Sequence, residues 1–217
     1  MVRRSSGEQA AHFIRRLVFE GELRPGSRVP QDAIAQTLGI SRIPLREALI
    51  ALEREGWVTI RLHRGAFINV LDADAVRDHY ELYGLVYGYA TRRAMARSAA
   101  NLVATLRPIA AEIAGTTDPA AMGRLALAFH GAIVSAARSP RIKVVLRAMS
   151  SLIPGEFFEE VPAAMDVQRH GISTIMKAME KGDAPLAAAN YAALMSRLGD
   201  EVVDVFESRG LLEPVAS

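Results

Sequence analysis

Two arginines four residues apart, Arg42 and Arg46, follow directly on Ser41. On a helix that spacing puts both guanidinium groups on one stripe. Each planar fork can donate paired hydrogen bonds to a phosphate or to the major-groove edge of guanine. The spacing also fits an ordinary surface ion pair with Glu47 or Glu53, which contributes less than about 1 kcal/mol. Ser41 can cap the helix and also touch a phosphate. Further along, His63, Arg64 and Gly65 form a basic turn that can enter a minor groove or grip its backbone, with Gly65 serving the turn geometry. Arg28, and Arg3 and Arg4 in the N-terminal tail, are candidate phosphate contacts.

These residues need elements to position them. Ala10, Ile14, Leu17 and Val18 repeat at helical spacing and predict a helix over 8–20. A short second helix starts near Gln31, buries Ile34, Ala35 and Leu38, and stops at Gly39. Ser41 opens a third, in which Pro44 is tolerated in the first turn and Leu45, Ala48, Leu49 and Leu52 face inward. Beyond Gly56 the period changes: Trp57 to Leu62 and Ala66 to Val70 read as two strands around the turn at 63–65. Three helices and a hairpin make a winged helix-turn-helix, with the third helix as the major-groove candidate. From residue 72 onward no strand-like run occurs. Six helical segments are predicted at 72–98, 101–114, 118–137, 140–158, 163–181 and 184–209, amphipathic enough to pack as a bundle with room for a cavity. The expected fold is thus mainly α: a winged helix-turn-helix domain over 1–71, then an all-α six-helix bundle over 72–217.

Charge follows the same division. Residues 1–70 carry 11 Arg against 7 acidic residues, whereas residues 71–217 carry 15 basic against 17 acidic. A small basic segment joined to a near-neutral larger one suits a DNA reader attached to something else. The chain has no cysteine, which excludes disulfides, a thiol nucleophile and Cys-ligated metal. The N-terminus lacks the apolar stretch of a signal peptide and no run of about 18 apolar residues occurs, so a soluble, cytoplasmic chain without membrane contact is expected. Glu-x-x-His pairs, a Walker loop, a zincin motif and a Gly-x-Ser-x-Gly elbow are all missing from the sequence, so an enzyme is not expected.

The run from Pro25 to Val70, above all Leu38-Gly39-Ile40-Ser41-Arg42-Ile43-Pro44-Leu45-Arg46-Glu47-Ala48-Leu49 and Glu55-Gly56-Trp57, resembles the DNA-binding domain of the GntR family of bacterial transcription regulators. The helical remainder is similar to the FCD ligand-sensing domain of the FadR subfamily, in its shorter VanR-type form. The resemblance implies DNA contacts at the positions of Arg42 and Arg46. It also implies a homodimer on a pseudopalindromic operator, with the helical domain supplying much of the interface, and repression as the commoner outcome.

Many FCD domains hold a divalent metal through an aspartate and three histidines. Here His130, after Phe129, keeps one of those positions, but the other three fall on Ala126, Ile172 and Leu194, with His170 two residues out of register. One imidazole cannot hold such an ion inside an apolar bundle, so no metal and no other cofactor is expected. His130 then reads as a hydrogen-bonding pocket residue or a core histidine with a partner. Tyr83 and Tyr87, with Tyr191 and Met195, suggest an aromatic effector pocket or ordinary core packing. The expected function is a ligand-responsive regulator with double-stranded DNA and an unknown small molecule as partners. The alternatives are an architectural DNA-binding protein without effector, or an all-α enzyme with an appended DNA-binding domain.

Overall fold

The computed structural model describes residues 5–149 and 157–212. The chain forms two compact units: one comprises residues 5–73 and 204–212, the other residues 74–149 and 157–203. Among the described residues, no helix is long and apolar enough to cross a membrane.

The first unit is a winged helix-turn-helix. Helix α1 (Ser6–Phe19) opens on a capping box, in which the Ser5 hydroxyl accepts from the Glu8 N–H and the Glu8 carboxylate from the Ser5 N–H. Helix α2 (Gln31–Leu38) ends at Gly39, and α3 (Arg42–Arg54) follows. Strands β1 (Val58–Arg61) and β2 (Gly65–Ile68) pair antiparallel, Val58 opposite Ile68 and Arg61 opposite Gly65. Residues 26–29 run along the other edge of β2, with Val29 N–H donating to Ala66 O (2.8 Å) and Ile68 N–H to Ser27 O (2.9 Å). Ile14, Leu45, Leu49, Leu52 and Trp57 fill the core.

That core also takes in residues from far along the sequence. Phe206 meets Phe19 and Trp57 edge to face, with centroids 5.9 and 6.3 Å apart. Arg209 lies over the Phe19 ring at 3.7 Å and donates to Phe19 O, while Leu71 N–H donates to Leu211 O (3.2 Å). Each of these contacts joins residues on opposite sides, in sequence, of the whole helical unit.

The second unit is wholly helical among its described residues. Helix α4 (Ala73–Gly115) breaks at Ser98 (φ −168°, ψ 90°), which makes it the two segments predicted at 72–98 and 101–114. Helix α5 (Pro119–Ala136) is capped by the Asp118 carboxylate, which accepts from the Ala120 and Ala121 N–H groups. The predicted segment 140–158 is not one helix. Helix α6 (Pro140–Ala148) stops where Met149 leaves helical geometry (φ −93°, ψ 72°), and α7 (Phe157–Glu160) is separate; residues 150–156 of that prediction lie outside the described residues. Helices α8 (Ala164–Glu180) and α9 (Ala184–Ser208) complete the order, the residues of α9 from 204 onward belonging to the first unit. Helices α4 and α9 approach closely because Gly84 faces Ala192: a Cβ on Gly84 would lie 2.8 Å from the Ala192 Cα.

Candidate nucleic-acid interface and sensor site

Helix α3 buries Leu45, Ala48, Leu49 and Leu52 and turns Arg42, Arg46 and Ile50 outward. The buried stripe explains the exposed one, since i, i+4 arginines beside it have nowhere else to point. Arg42 pairs with Asp32 of α2 at 3.1 Å rather than with Glu47 or Glu53, and both partners are more than four-fifths exposed. Such a pair is weak enough to yield to a ligand. Glu53 is occupied elsewhere, accepting from the Ile60 N–H (2.7 Å) and so tying α3 to the wing. Arg46 is exposed.

Ser41 holds the N-cap position with extended backbone, yet its hydroxyl makes no capping bond. The reason lies three residues on: the N3 residue is Pro44, which has no N–H to donate. The predicted cap is therefore absent and the hydroxyl faces solvent. The turn at His63 and Gly65 uses left-handed backbone at both (φ 58° and 97°). Gly65 also makes room for Arg28, whose Nε would sit 2.9 Å from a Cβ placed there. Arg28 thus lies beside β2, shortly before α2 begins at Gln31. Arg28, Asp32, Arg42, Arg46, Ile50 and Ile60 line an open groove of about 900 Å³ between α2, α3 and the wing. Arg64 is exposed at the wing turn, and Arg3 and Arg4 lie outside the described residues.

Two exposed apolar side chains went unnoticed in the sequence. Ile43, 72 % exposed, stands between the two arginines, and Leu62, 83 % exposed, is at the wing tip. The available signal was a large apolar residue off the buried i, i+3, i+4 stripe. In a major groove such a side chain meets the thymine methyl.

In the second unit the structure joins His130, Tyr83, Tyr87 and Tyr191 into one cluster. Tyr191 and Tyr87 stack at 5.1 Å and 16°, and the His130 ring lies 5.1 Å from that of Tyr87. His130 Nδ1 is hydrogen-bonded to the Tyr191 hydroxyl. Desolvation lowers the imidazole pKa to about 4, and burial raises the Tyr191 phenol, so both groups are neutral. Tyr83 donates to the carbonyls of Leu146 and Met149. Met195 is buried where Gly84 of α4 meets α9. Ala126, Ile172 and Leu194 are 5 %, 1 % and 2 % exposed, core residues with no donor atom for a metal. His170 does not approach His130; it is exposed beside Asp166, Arg197, Asp200 and Glu201. Among the described residues no three His, Cys, Asp or Glu side chains converge as a metal site would require. The residues present do not fit a divalent ion.

A DNA-reading fold with its arginines on the open face of the third helix, joined to an all-helical unit, defines a class of two-part regulators. The chain belongs to the gntR family of bacterial regulatory proteins, matching that family over residues 6–68 and the FCD domain over residues 78–197. It is 34 % identical over 151 residues to an uncharacterized HTH-type transcriptional regulator of Mycobacterium tuberculosis, covering 70 % of this chain and 62 % of that relative. It is 33 % identical over 132 residues to the Nta operon transcriptional regulator of Aminobacter aminovorans, covering 60 % of this chain and 63 % of that one. Of solved structures, Escherichia coli McbR/YncC superposes with a TM-score of 0.60 at 15 % identity, over 95 % of this chain and 99 % of that one. A GntR family member from Pseudomonas syringae gives 0.56 at 20 %, over 94 % and 87 %. These last two share the fold.

Proposed function

We propose that this protein is a ligand-responsive transcriptional repressor that binds a pseudopalindromic operator as a homodimer in the cytoplasm. One observation carries the reading: Arg42 and Arg46 occupy the solvent face of α3, beside the wing, with no core role. Arg46, and Arg42 once it releases Asp32, read bases; Ser41, Arg28, His63 and Arg64 hold the sugar-phosphate backbone, and Gly65 shapes the wing turn.

One recognition helix reads too few base pairs for a genome, which calls for two copies. An exposed stripe on α4 supports pairing: Leu82, Leu85 and Tyr89 recur at alternating three- and four-residue steps, 54 %, 64 % and 49 % exposed. Exposed Asp78 and Arg92 extend the same spacing at its two ends. Two such stripes packed antiparallel set acid against base and apolar against apolar. For the second unit, Tyr83, Tyr87, His130, Tyr191 and Met195 are proposed to take the effector in a shorter, VanR-type FCD bundle that works without metal, Ala126, Ile172 and Leu194 having replaced its ligands.

Selection of binding sites from random DNA tests this. Wild type is expected to recover inverted repeats, and Arg46→Ala to lose discrimination at one base pair per half-site by about 1–3 kcal/mol. Recovery of sequences without symmetry, or unchanged preference in Arg46→Ala, would refute the reading.

A further inference from the structure

Ile43 stands where α3 faces most directly away from the core of the first unit. At about 100° per residue, it falls about 170° round the helix from the mean direction of Leu45, Ala48, Leu49 and Leu52. Arg46 falls about 110° from that direction and Arg42 about 70°. The side chain aimed straightest outward is thus an isoleucine, 72 % exposed, and not an arginine. Single exposed aliphatic residues are common on protein surfaces. This one is set apart by its place: it is the second residue of α3, in the turn that a recognition helix presents to base edges.

Its neighbours suit nucleic acid better than an apolar protein surface. Arg42 precedes it, Arg46 lies one turn on, and Arg28 joins them along the groove beside the wing. The acid on the same face is drawn aside. Glu47 lies against the first turn of α1, where a Cβ on Gly7 would meet its Oε2 at 3.5 Å and the positive end of that helix favours a carboxylate. Cations therefore meet the phosphates while an apolar side chain stands beside them. In the major groove the apolar feature of a base edge is the thymine methyl.

We propose that Ile43 is a specificity-determining residue that covers the 5-methyl group of one thymine in each half-site, close to the base pair read by Arg46. This rests on the reading of α3 as a major-groove helix. Residues three apart on a helix have Cβ atoms about 5–6 Å apart, and successive bases on a strand rise about 3.4 Å. The thymine accordingly lies within about two base pairs of the position that Arg46 reads. The isoleucine side chain has no hydrogen-bonding atom, so it discriminates by contact alone: cytosine, which carries hydrogen in place of the methyl, leaves it uncovered.

The test titrates the full chain, at one fixed salt concentration, with the DNA sequence that wild type selects, followed by fluorescence anisotropy. Each thymine in turn is replaced by deoxyuridine, which keeps every hydrogen-bonding atom and removes only the methyl. Wild type should bind about fourfold more weakly when one particular thymine of a half-site is replaced, within two base pairs of the position that Arg46→Ala relaxes. Ile43→Ala should bind the thymine and deoxyuridine forms equally. Both forms are compared on one protein, so a change in the overall affinity of the variant leaves that comparison intact. Deoxyuridine tolerated at every position by wild type overturns the proposal, while a preference still relaxed by Arg46→Ala keeps α3 as the reading helix. A penalty that Ile43→Ala retains in full also overturns it, since another residue then covers the methyl. Failure of wild type to select any preferred sequence overturns the reading of α3 itself, and this proposal with it.

Discussion

His130 should make the stability of the protein fall between pH 7 and pH 5. The ring titrates at 6.5 in an unfolded chain but near pH 4 beneath Tyr87 and beside Tyr191, because burial disfavours the imidazolium. A folded pKa below the unfolded one means that the unfolded chain binds the proton more readily in this interval. The stabilising contribution is complete above pH 6.5 and is lost as the pH falls toward 4. The whole separation corresponds to roughly 3 kcal/mol, of which about 2 kcal/mol is lost by pH 5. The ring keeps partial exposure, and solvent screening reduces the loss to about 1–2 kcal/mol. Asn at this position offers the Tyr191 hydroxyl both a donor and an acceptor without titrating. Urea denaturation followed by helical circular dichroism, on wild type and His130→Asn at both pH values, isolates the effect because His12, His63, His79 and His170 are common to both. The advantage of wild type over the variant should shrink by 1–2 kcal/mol on acidification. Curves that stay parallel, or an advantage that grows, would refute the reasoning.

Phe206→Ala should destabilise the first unit by about 3–5 kcal/mol, since the ring packs on both Phe19 and Trp57. Trp57 is the chain's one tryptophan, so its fluorescence reports that unit directly, and an unchanged denaturation midpoint would contradict the packing argument. On the proposed pairing, wild type should sediment as a dimer at equilibrium and Leu85→Asp as a monomer, with the helical signal intact. If it sediments as wild type does, the α4 stripe is not the interface.

Much of this was legible in the sequence because it depends on local periodicity. The i, i+3, i+4 apolar pattern of α3 and the switch to β-favouring residues at Trp57 specify the winged helix-turn-helix with little help from distant contacts. Pairings between remote residues were not legible. The sequence offers Arg42 the ion-pair partners Glu47 and Glu53 of its own helix, yet geometry gives it Asp32, across the turn on α2. The Ser41 cap failed for a reason visible in the sequence, the missing N–H of Pro44 three positions on. The partner of His130 is not legible in the sequence, because only the folded bundle brings Tyr191 to it. Gln168 was hidden by its type: a glutamine in an amphipathic helix reads as surface, although it lies four residues from both Ala164 and Ile172 on the buried stripe.

The participation of Phe206, Arg209 and Leu211 in the first unit bears on biosynthesis. A ribosome delivers residues 5–73 long before residues 204–212 emerge, so the reading head waits for most of translation with Phe19 and Trp57 uncovered. A nascent chain stalled ahead of Phe206 would carry the recognition helix on an incompletely sealed core. Completion of that core is thereby timed to the synthesis of the segment that follows the helical unit.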